Sequence, residues 1–362
     1  MSEWLYRRGF TITNNTLAPV TDLQIKFQVY RSAGTSTGTA VYIGTNCLED
    51  FSDVRFTDSS GIDTGLYDYW IETPTTSTVA TCWVEVGYLP ASAATTCYVY
   101  YGNNNGVSAY SSGSHTFPFF DDFSGTSVDE SKWTVSGAGV TVADSIVSIS
   151  GAETIISVSS FAANTAAHAR YKTAHYNTTS YTERIQWLVD WNNGAFVFPC
   201  GPADWNKKYR TANSGKGSTA AITLWAADTF KTLEIIRKGS TSVIFKVDGS
   251  TDLTSTTYVN TGNWIFNIGN ESSSPAASYL DWIFVRKYAA TEPTVSGWIA
   301  AEDLTVDDDT PTGYTTTAYR IVGIEYDQNK GVFIIEFGAV EDYYMTQDAK
   351  YRGAYNNTLS LL

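Results

Sequence analysis

Apolar residues in this chain recur at every second position. Leu23, Ile25, Phe27 and Val29 alternate with Gln24, Lys26 and Gln28, and Val54 and Phe56 keep the same period. Farther on, Ile185, Trp187, Val189 and Trp191 are spaced by Gln186, Leu188 and Asp190, which reads as a strand with an aromatic face. Successive side chains of a strand point to opposite faces, whereas an amphipathic helix needs a period of about 3.6. The runs are short and stop at turn signals such as Ser59-Ser60-Gly61, Gly102-Asn103-Asn104 and Asp248-Gly249. Composition agrees: the 362 residues include 24 Tyr, 17 Phe and 11 Trp, residues that favour strands. Stretches rich in Ala, Leu, Glu and Lys, which favour helices, are nearly missing. The expected fold is all-β.

The strand pattern divides the chain in three. Residues 1–115 read as a β-sandwich of about seven short strands. A Ser/Gly/Tyr-rich stretch from Val107 to His115, followed by Phe117-Pro118-Phe119-Phe120, marks a boundary. Residues 116–290 fit a two-sheet jelly roll, with Leu233–Lys238 and Val243–Val247 as a hairpin around Gly239-Ser240. Residues 291–362 form a C-terminal extension: a hairpin, Tyr319–Tyr326 with Val332–Phe337, then an arm without periodicity. The extension is small for independent stability, so it is expected to dock on a partner chain and to make the protein a homo-oligomer.

The net charge is −14, from 23 Lys and Arg against 37 Asp and Glu. Without clustered cations a phosphate backbone has no docking surface, so nucleic acid is not expected as a partner. No apolar run reaches the roughly 18 residues of a membrane span, and the opening Met1–Arg8 holds no signal-peptide core. Cys47, Cys82, Cys97 and Cys200 form no Cys-x-x-Cys pair, and the three histidines are His115, His168 and His175, which argues against zinc. Cys82 and Cys97 lie on consecutive strands. They are either two buried thiols or a cross-strand disulfide.

Tyr6-Arg7-Arg8, Ile12-Thr13-Asn14, Phe51–Asp58, Tyr69-Trp70-Ile71-Glu72, Trp83–Val86 and Tyr98–Asn103 appear in an order that resembles the domain of unknown function 2341, over residues 4–110. Phe119–Gly125 before Trp133, Lys246-Val247-Asp248-Gly249 and Leu280–Val285 resemble a concanavalin-like or laminin-G-like jelly roll, over residues 117–290. The resemblance implies a surface or secreted setting. It does not fix an activity, because this fold hosts lectins, glycosidases, lyases and structural modules.

Family 16 glycosidases on this fold resemble one another in a Glu-x-Asp-x-Glu strand; here Glu183-Arg184-Ile185-Gln186-Trp187 lacks two of the acids, and Glu325-Tyr326-Asp327 has Asn329 in the last place. A lyase would draw on His175-Tyr176 with Arg170-Tyr171-Lys172, residues that equally suit packing. No Gly-x-Ser-x-Gly or phosphate loop occurs. The expectation is therefore a protein without an enzymatic centre.

Sugar binding asks for less: flat aromatic faces beside polar groups. Trp205 and Tyr209, with Asp204, sit in a polar loop, and Trp191 shares a strand face with Trp187 by parity; each of these aromatics is either a ligand contact or core. Asp121, Asp122 and Asp281, near the first and last jelly-roll strands, are candidates for a structural Ca²⁺, or else cap turns. Asp307-Asp308-Asp309 reads as a solvated loop. Sequons at Asn14, Asn177, Asn270 and Asn356 suit an exposed protein. Together these features point to adhesion through glycans or surface polymer, on a virion, whose proteins reach the outside by assembly and lysis, or on a cell surface. The C-terminal segment would contact other virion or surface-assembly proteins. A secreted adhesin or a polysaccharide hydrolase or lyase is the alternative.

Overall fold

The computed structural model describes residues 4–304, except 73–75, 104–109, 176–181, 201–203, 205, 226–227 and 271–273, together with the backbone of 274–276, 319–327 and 332–339. Its elements are strands apart from one helical turn, Gly113–Thr116. Among the described residues no helix is long and apolar enough to cross a membrane.

The first sandwich joins two sheets. One orders Ala40–Tyr42, Val20–Tyr30, Val79–Leu89 and Tyr69–Glu72; the other orders Thr294–Ser296, Tyr6–Thr13, Ala94–Tyr101 and Arg55–Asp58. Alternation turns Leu23, Ile25, Phe27 and Val29 inward onto Phe10, Phe56 and Val99. Thr294–Ser296 and Glu302–Asp303 both pair with Tyr6–Thr13. Residues 294–303, assigned by sequence to the C-terminal extension, thus complete the first sandwich after the chain has traversed the jelly roll. The compact unit runs to Thr305.

Cys82 and Cys97 do not face one another across a hairpin. Their strands enter different sheets, Val79–Leu89 pairing with Val20–Tyr30 and Ala94–Tyr101 with Tyr6–Thr13. All four cysteines are buried free thiols, and burial raises Cys47, Cys97 and Cys200 to about 12.

The jelly roll packs an eight-stranded sheet on a seven-stranded one around a core of Trp133, Trp187, Trp264, Tyr171 and Phe266 among others. Arg237 is buried in this core with its guanidinium carbon 3.7 Å from the Trp264 ring centre, donating to the carbonyls of Phe161, Ala162 and Gly262. Inside this unit the outer face of the eight-stranded sheet meets the first sandwich: Trp282 and Phe284 pack with Trp70, Trp83, Phe117 and Phe120. His168 lies between Trp83 and Phe284. Its Nε2 lies 3.1 Å from Arg286 Nε and 3.2 Å from Glu234 Oε1, so it accepts from the guanidinium when neutral and donates to the carboxylate when protonated.

The second unit, 306–362, contains a two-stranded antiparallel hairpin, Tyr319–Asp327 with Val332–Ala339.

Candidate functional site

The strand Glu183–Asp190 sends Ile185 and Trp187 into the core and Gln186 and Leu188 to the outer face of the seven-stranded sheet. Its register with Asn193–Cys200 shifts between Leu188 and Asp190. That irregularity breaks the alternation, so Trp191 does not continue the Trp187 face. It stands at the turn, 41% exposed, edge-on to Phe196 and Phe198 on the outer face, with ring centres 5.3 and 6.0 Å away.

Arg210 fixes this platform. Its guanidinium lies 5.0 Å from the Trp191 ring centre and 4.7 Å from that of Phe196, and Nη1 donates to the Trp191 carbonyl at 2.6 Å. Burial lowers its pKa, yet an arginine remains charged at neutral pH. Beside the platform, Asp190 Oδ1 accepts from Asn192 N and from Asn193 Nδ2. Asn193 Oδ1 accepts from Ser214 N and Asn260 Nδ2, which ties three loops together. The two-residue turn Ser214-Gly215 has positive φ at both positions, the geometry that suits a tight hairpin.

Across the outer face the register sets Asn267, Gln186, Phe196 and Arg210 side by side. Gln186 is 1% exposed, and neither its Nε2 nor Asn267 Oδ1 meets a protein hydrogen-bond partner. An unmet buried donor beside an unmet acceptor costs roughly 1–3 kcal/mol each. A ligand hydroxyl, which donates and accepts, would satisfy both.

A second polar group lies where the two sheets meet. His175 Nδ1 is 2.7 Å from Glu183 Oε1. Burial raises the Glu183 carboxyl above its ordinary range, against the pull of His175, and its Oε2 has no partner.

Of the residues expected to bind sugar, Trp191 and Asp204 are exposed, and Trp205 lies outside the described residues. Tyr209 is a correction: it is fully buried, stacked 4.6 Å from Phe245, with its hydroxyl donating to Asp252 Oδ2 at 2.8 Å. Strand parity turns its ring inward and leaves none of it for a ligand. The expected calcium ligands each have protein partners. Asp121 accepts from Trp133 Nε1 at 2.6 Å, Asp122 from Ser124 N, and Asp281 pairs with Arg170. Among the described residues no three His, Cys, Asp or Glu side chains gather as a metal site. Asn14 and Asn270 are buried and hydrogen-bonded, so these two sequons are not presented to solvent.

Arg210, Gln186, Asn267, Asn193 and Asn260 were missed from sequence. Alternation within Lys208–Asn213 could have placed Arg210 outward. No sequence signal pairs Gln186 with Asn267.

Residues 50–136 match the family described as Domain of unknown function (DUF2341). The match takes in Phe51–Asp58, Tyr69–Glu72, Trp83–Val86 and Tyr98–Asn103 and runs through Trp133; the opening Tyr6-Arg7-Arg8 lies outside it. No curated protein sequence matches the chain. Among solved structures it is similar to a glycosyl hydrolase family 16 protein from Mycobacterium smegmatis, at 15% identity over 47% of this chain and 99% of that one, TM-score 0.38. An endo-β-1,3-glucanase from Pyrococcus furiosus aligns at 11% identity over 48% and 95%, TM-score 0.38. β-Agarase B from Zobellia galactanivorans aligns at 11% over 46% and 91%, TM-score 0.36. At these scores the likeness carries no argument about which residues would act. It does correct the expectation of a protein without enzymatic activity: that exclusion rested on a missing acid motif, and the structures this chain resembles are named as hydrolases of polysaccharides.

Proposed function

We propose that the jelly roll recognises a polysaccharide on the outer face of its seven-stranded sheet. The observation that carries this reading is the row Asn267–Gln186–Phe196–Arg210 ending at Trp191. It offers the exposed Trp191 ring for the apolar face of a sugar, backed by Phe196 and Arg210, and beneath the surface two polar atoms, Gln186 Nε2 and Asn267 Oδ1, that the protein leaves unmet. Arg210 and the Asn193–Asn260 amides supply further polar contacts along the rim. The test is affinity electrophoresis of the full chain in gels containing β-1,3-glucan, agarose or an acidic polysaccharide. Retardation by one polymer that Trp191→Ala removes is expected; equal mobility of both proteins in every gel overturns the reading.

A second reading, cleavage of the polymer, is favoured by the His175–Glu183 pair, whose buried carboxyl with a raised pKa suits proton transfer. Release of reducing ends, or of unsaturated uronate absorbing near the ultraviolet edge, from the retained polymer tests it. Glu183→Gln is expected to stop release while leaving retention in the gel. Release unchanged in that variant overturns the role of the pair.

A further inference from the structure

Among the described residues, the terminal strands of the two jelly-roll sheets, Lys216–Ala221 and Ser250–Ser255, have no further neighbour at the open edge of the sandwich. Between them lies a cleft of about 160 Å³ whose lining includes Thr211, Ser218, Ala220, Leu253, Thr254 and Ser255. Cross-sheet contact is made by Thr211 Oγ1 and Ser255 Oγ, 2.8 Å apart, with Thr211 Oγ1 also donating to the Thr257 carbonyl. No charged side chain lines it. Asp252, the one acid on the strand Ser250–Ser255, is engaged by Tyr209, Thr223 and the Leu224 amide. Thr219, opposite Arg210 in the register, is exposed on the outer face, whereas Ser218 and Ala220, opposite Thr211 and Tyr209, turn inward, so the cleft opens between the sheets and not on the face that carries the row.

We propose that this cleft binds one neutral pyranose unit, as a sugar site apart from that row; the proposal rests on the polysaccharide reading and gives its ligand a chemical class. Size is the first argument: a closed cavity of about 150 Å³ takes a bare six-membered ring, and this cleft of about 160 Å³ is open to solvent, so the hydroxyls of a pyranose can project outward. Chemistry is the second. Serine and threonine hydroxyls each donate and accept, as sugar hydroxyls do, so they can pair in either direction. Leu253 and Ala220 provide an apolar surface for ring C–H groups. A uronate or sulfate would lose hydration in this lining without gaining a counter-charge, so the cleft discriminates against acidic sugars.

Saturation-transfer NMR on the full chain, with glucose, galactose, mannose, xylose and glucuronic acid as probes, tests the assignment. At least one neutral sugar is expected to give a signal, with glucuronic acid at least ten-fold weaker. Ala220→Phe, which fills the cleft, removes the signal; Ser218→Ala, a milder change with little risk to folding, reduces it several-fold. No signal from any neutral sugar, equal binding of glucuronic acid, or binding that survives in folded Ala220→Phe overturns the proposal. Monosaccharide binding that persists while gel retardation fails refutes the Trp191 platform and supports the cleft. Retardation without monosaccharide binding does the reverse.

Discussion

The two outer faces of the jelly roll solve opposite problems. On the eight-stranded sheet, Trp282 and Phe284 are covered by Trp70, Trp83 and Phe117, and the polar groups under this cover satisfy one another. Glu234 takes Arg286 at 3.2 Å and Lys246 at 3.3 Å, and Arg286 reaches His168 and Glu292. On the seven-stranded sheet, Gln186 Nε2 and Asn267 Oδ1 are left without partners beside an exposed Trp191. A buried polar group matched within the protein belongs to the scaffold. One left unmatched lowers stability and needs an account of its own, which the proposed ligand surface supplies.

The comparison breaks if the covered face proves dispensable. Trp282 is fully buried in the aromatic cluster joining the sandwiches. Trp282→Ala is expected to lower the stability of the 1–305 unit by about 3–5 kcal/mol, the cost of truncating a buried tryptophan. Urea unfolding checks this, and a loss under 1 kcal/mol would mean that the two sandwiches do not depend on this seam.

Acidification acts on the same face. Burial lowers the pKa of His168, and Arg286 holds it neutral while Glu234 pulls the other way. Below about pH 6.5 the unfolded state binds a proton that the folded state refuses, so stability falls as pH drops. Burial resists ionisation of Glu234 too, but a protonated His168, with Arg286 and Lys246 as the permanent cations beside it, outweighs burial and holds its carboxyl below the usual range. Its contribution is lost only in stronger acid, so between pH 7 and 5 the histidine dominates. The slope is at most about 1.4 kcal/mol per pH unit for one proton. Melting temperatures across that window should fall for the native chain and stay flatter for His168→Gln; parallel curves would remove His168 from the account.

Gln186→Leu sharpens the contrast. The side chain is buried, similar in size and leaves no new orphan except the unmet Asn267 Oδ1 already present. Stability should rise by about 1 kcal/mol, because an unmatched donor disappears, while polysaccharide retention falls. A loss of stability would show that Gln186 has a structural role on this face.

The scaffold was far more legible in sequence than the site. Period-two runs gave the strands of both sandwiches, because Leu23 to Val29 and Ile185 to Trp187 bury one face each. Three features were hidden for physical reasons. The return of Thr294–Ser296 to the first strand is a contact between residues nearly 300 positions apart, which no local pattern encodes. Cys82 and Cys97 look like hairpin partners until their strands part into two sheets. Trp191 changes face because the register slips at its turn, a single-residue event that periodicity cannot register. The buried polar row needs the sheet order itself, since Gln186 and Asn267 meet only once Ile265–Asn270 is inserted beside Glu183–Asp190.

Trp191→Ala should have the smallest effect on folding of any tryptophan change discussed. The ring is 41% exposed, and its two edge-on neighbours, Phe196 and Phe198, keep each other at 6.0 Å in a stacked pair. Arg210 loses the Trp191 ring but keeps Phe196, and its bond to the residue 191 carbonyl is independent of the side chain. Stability should change by no more than about 0.5 kcal/mol, as for exposed positions generally. Affinity for the retained polysaccharide should fall at least ten-fold, about 1.4 kcal/mol, since the stacking surface is gone. Set against Trp282→Ala, the pair of variants separates the two faces by a double dissociation: one tryptophan holds the fold and leaves the ligand surface untouched, the other does the reverse. If Trp191→Ala destabilised the protein as much as it weakened binding, the exposed tryptophan would be scaffold like its buried counterpart.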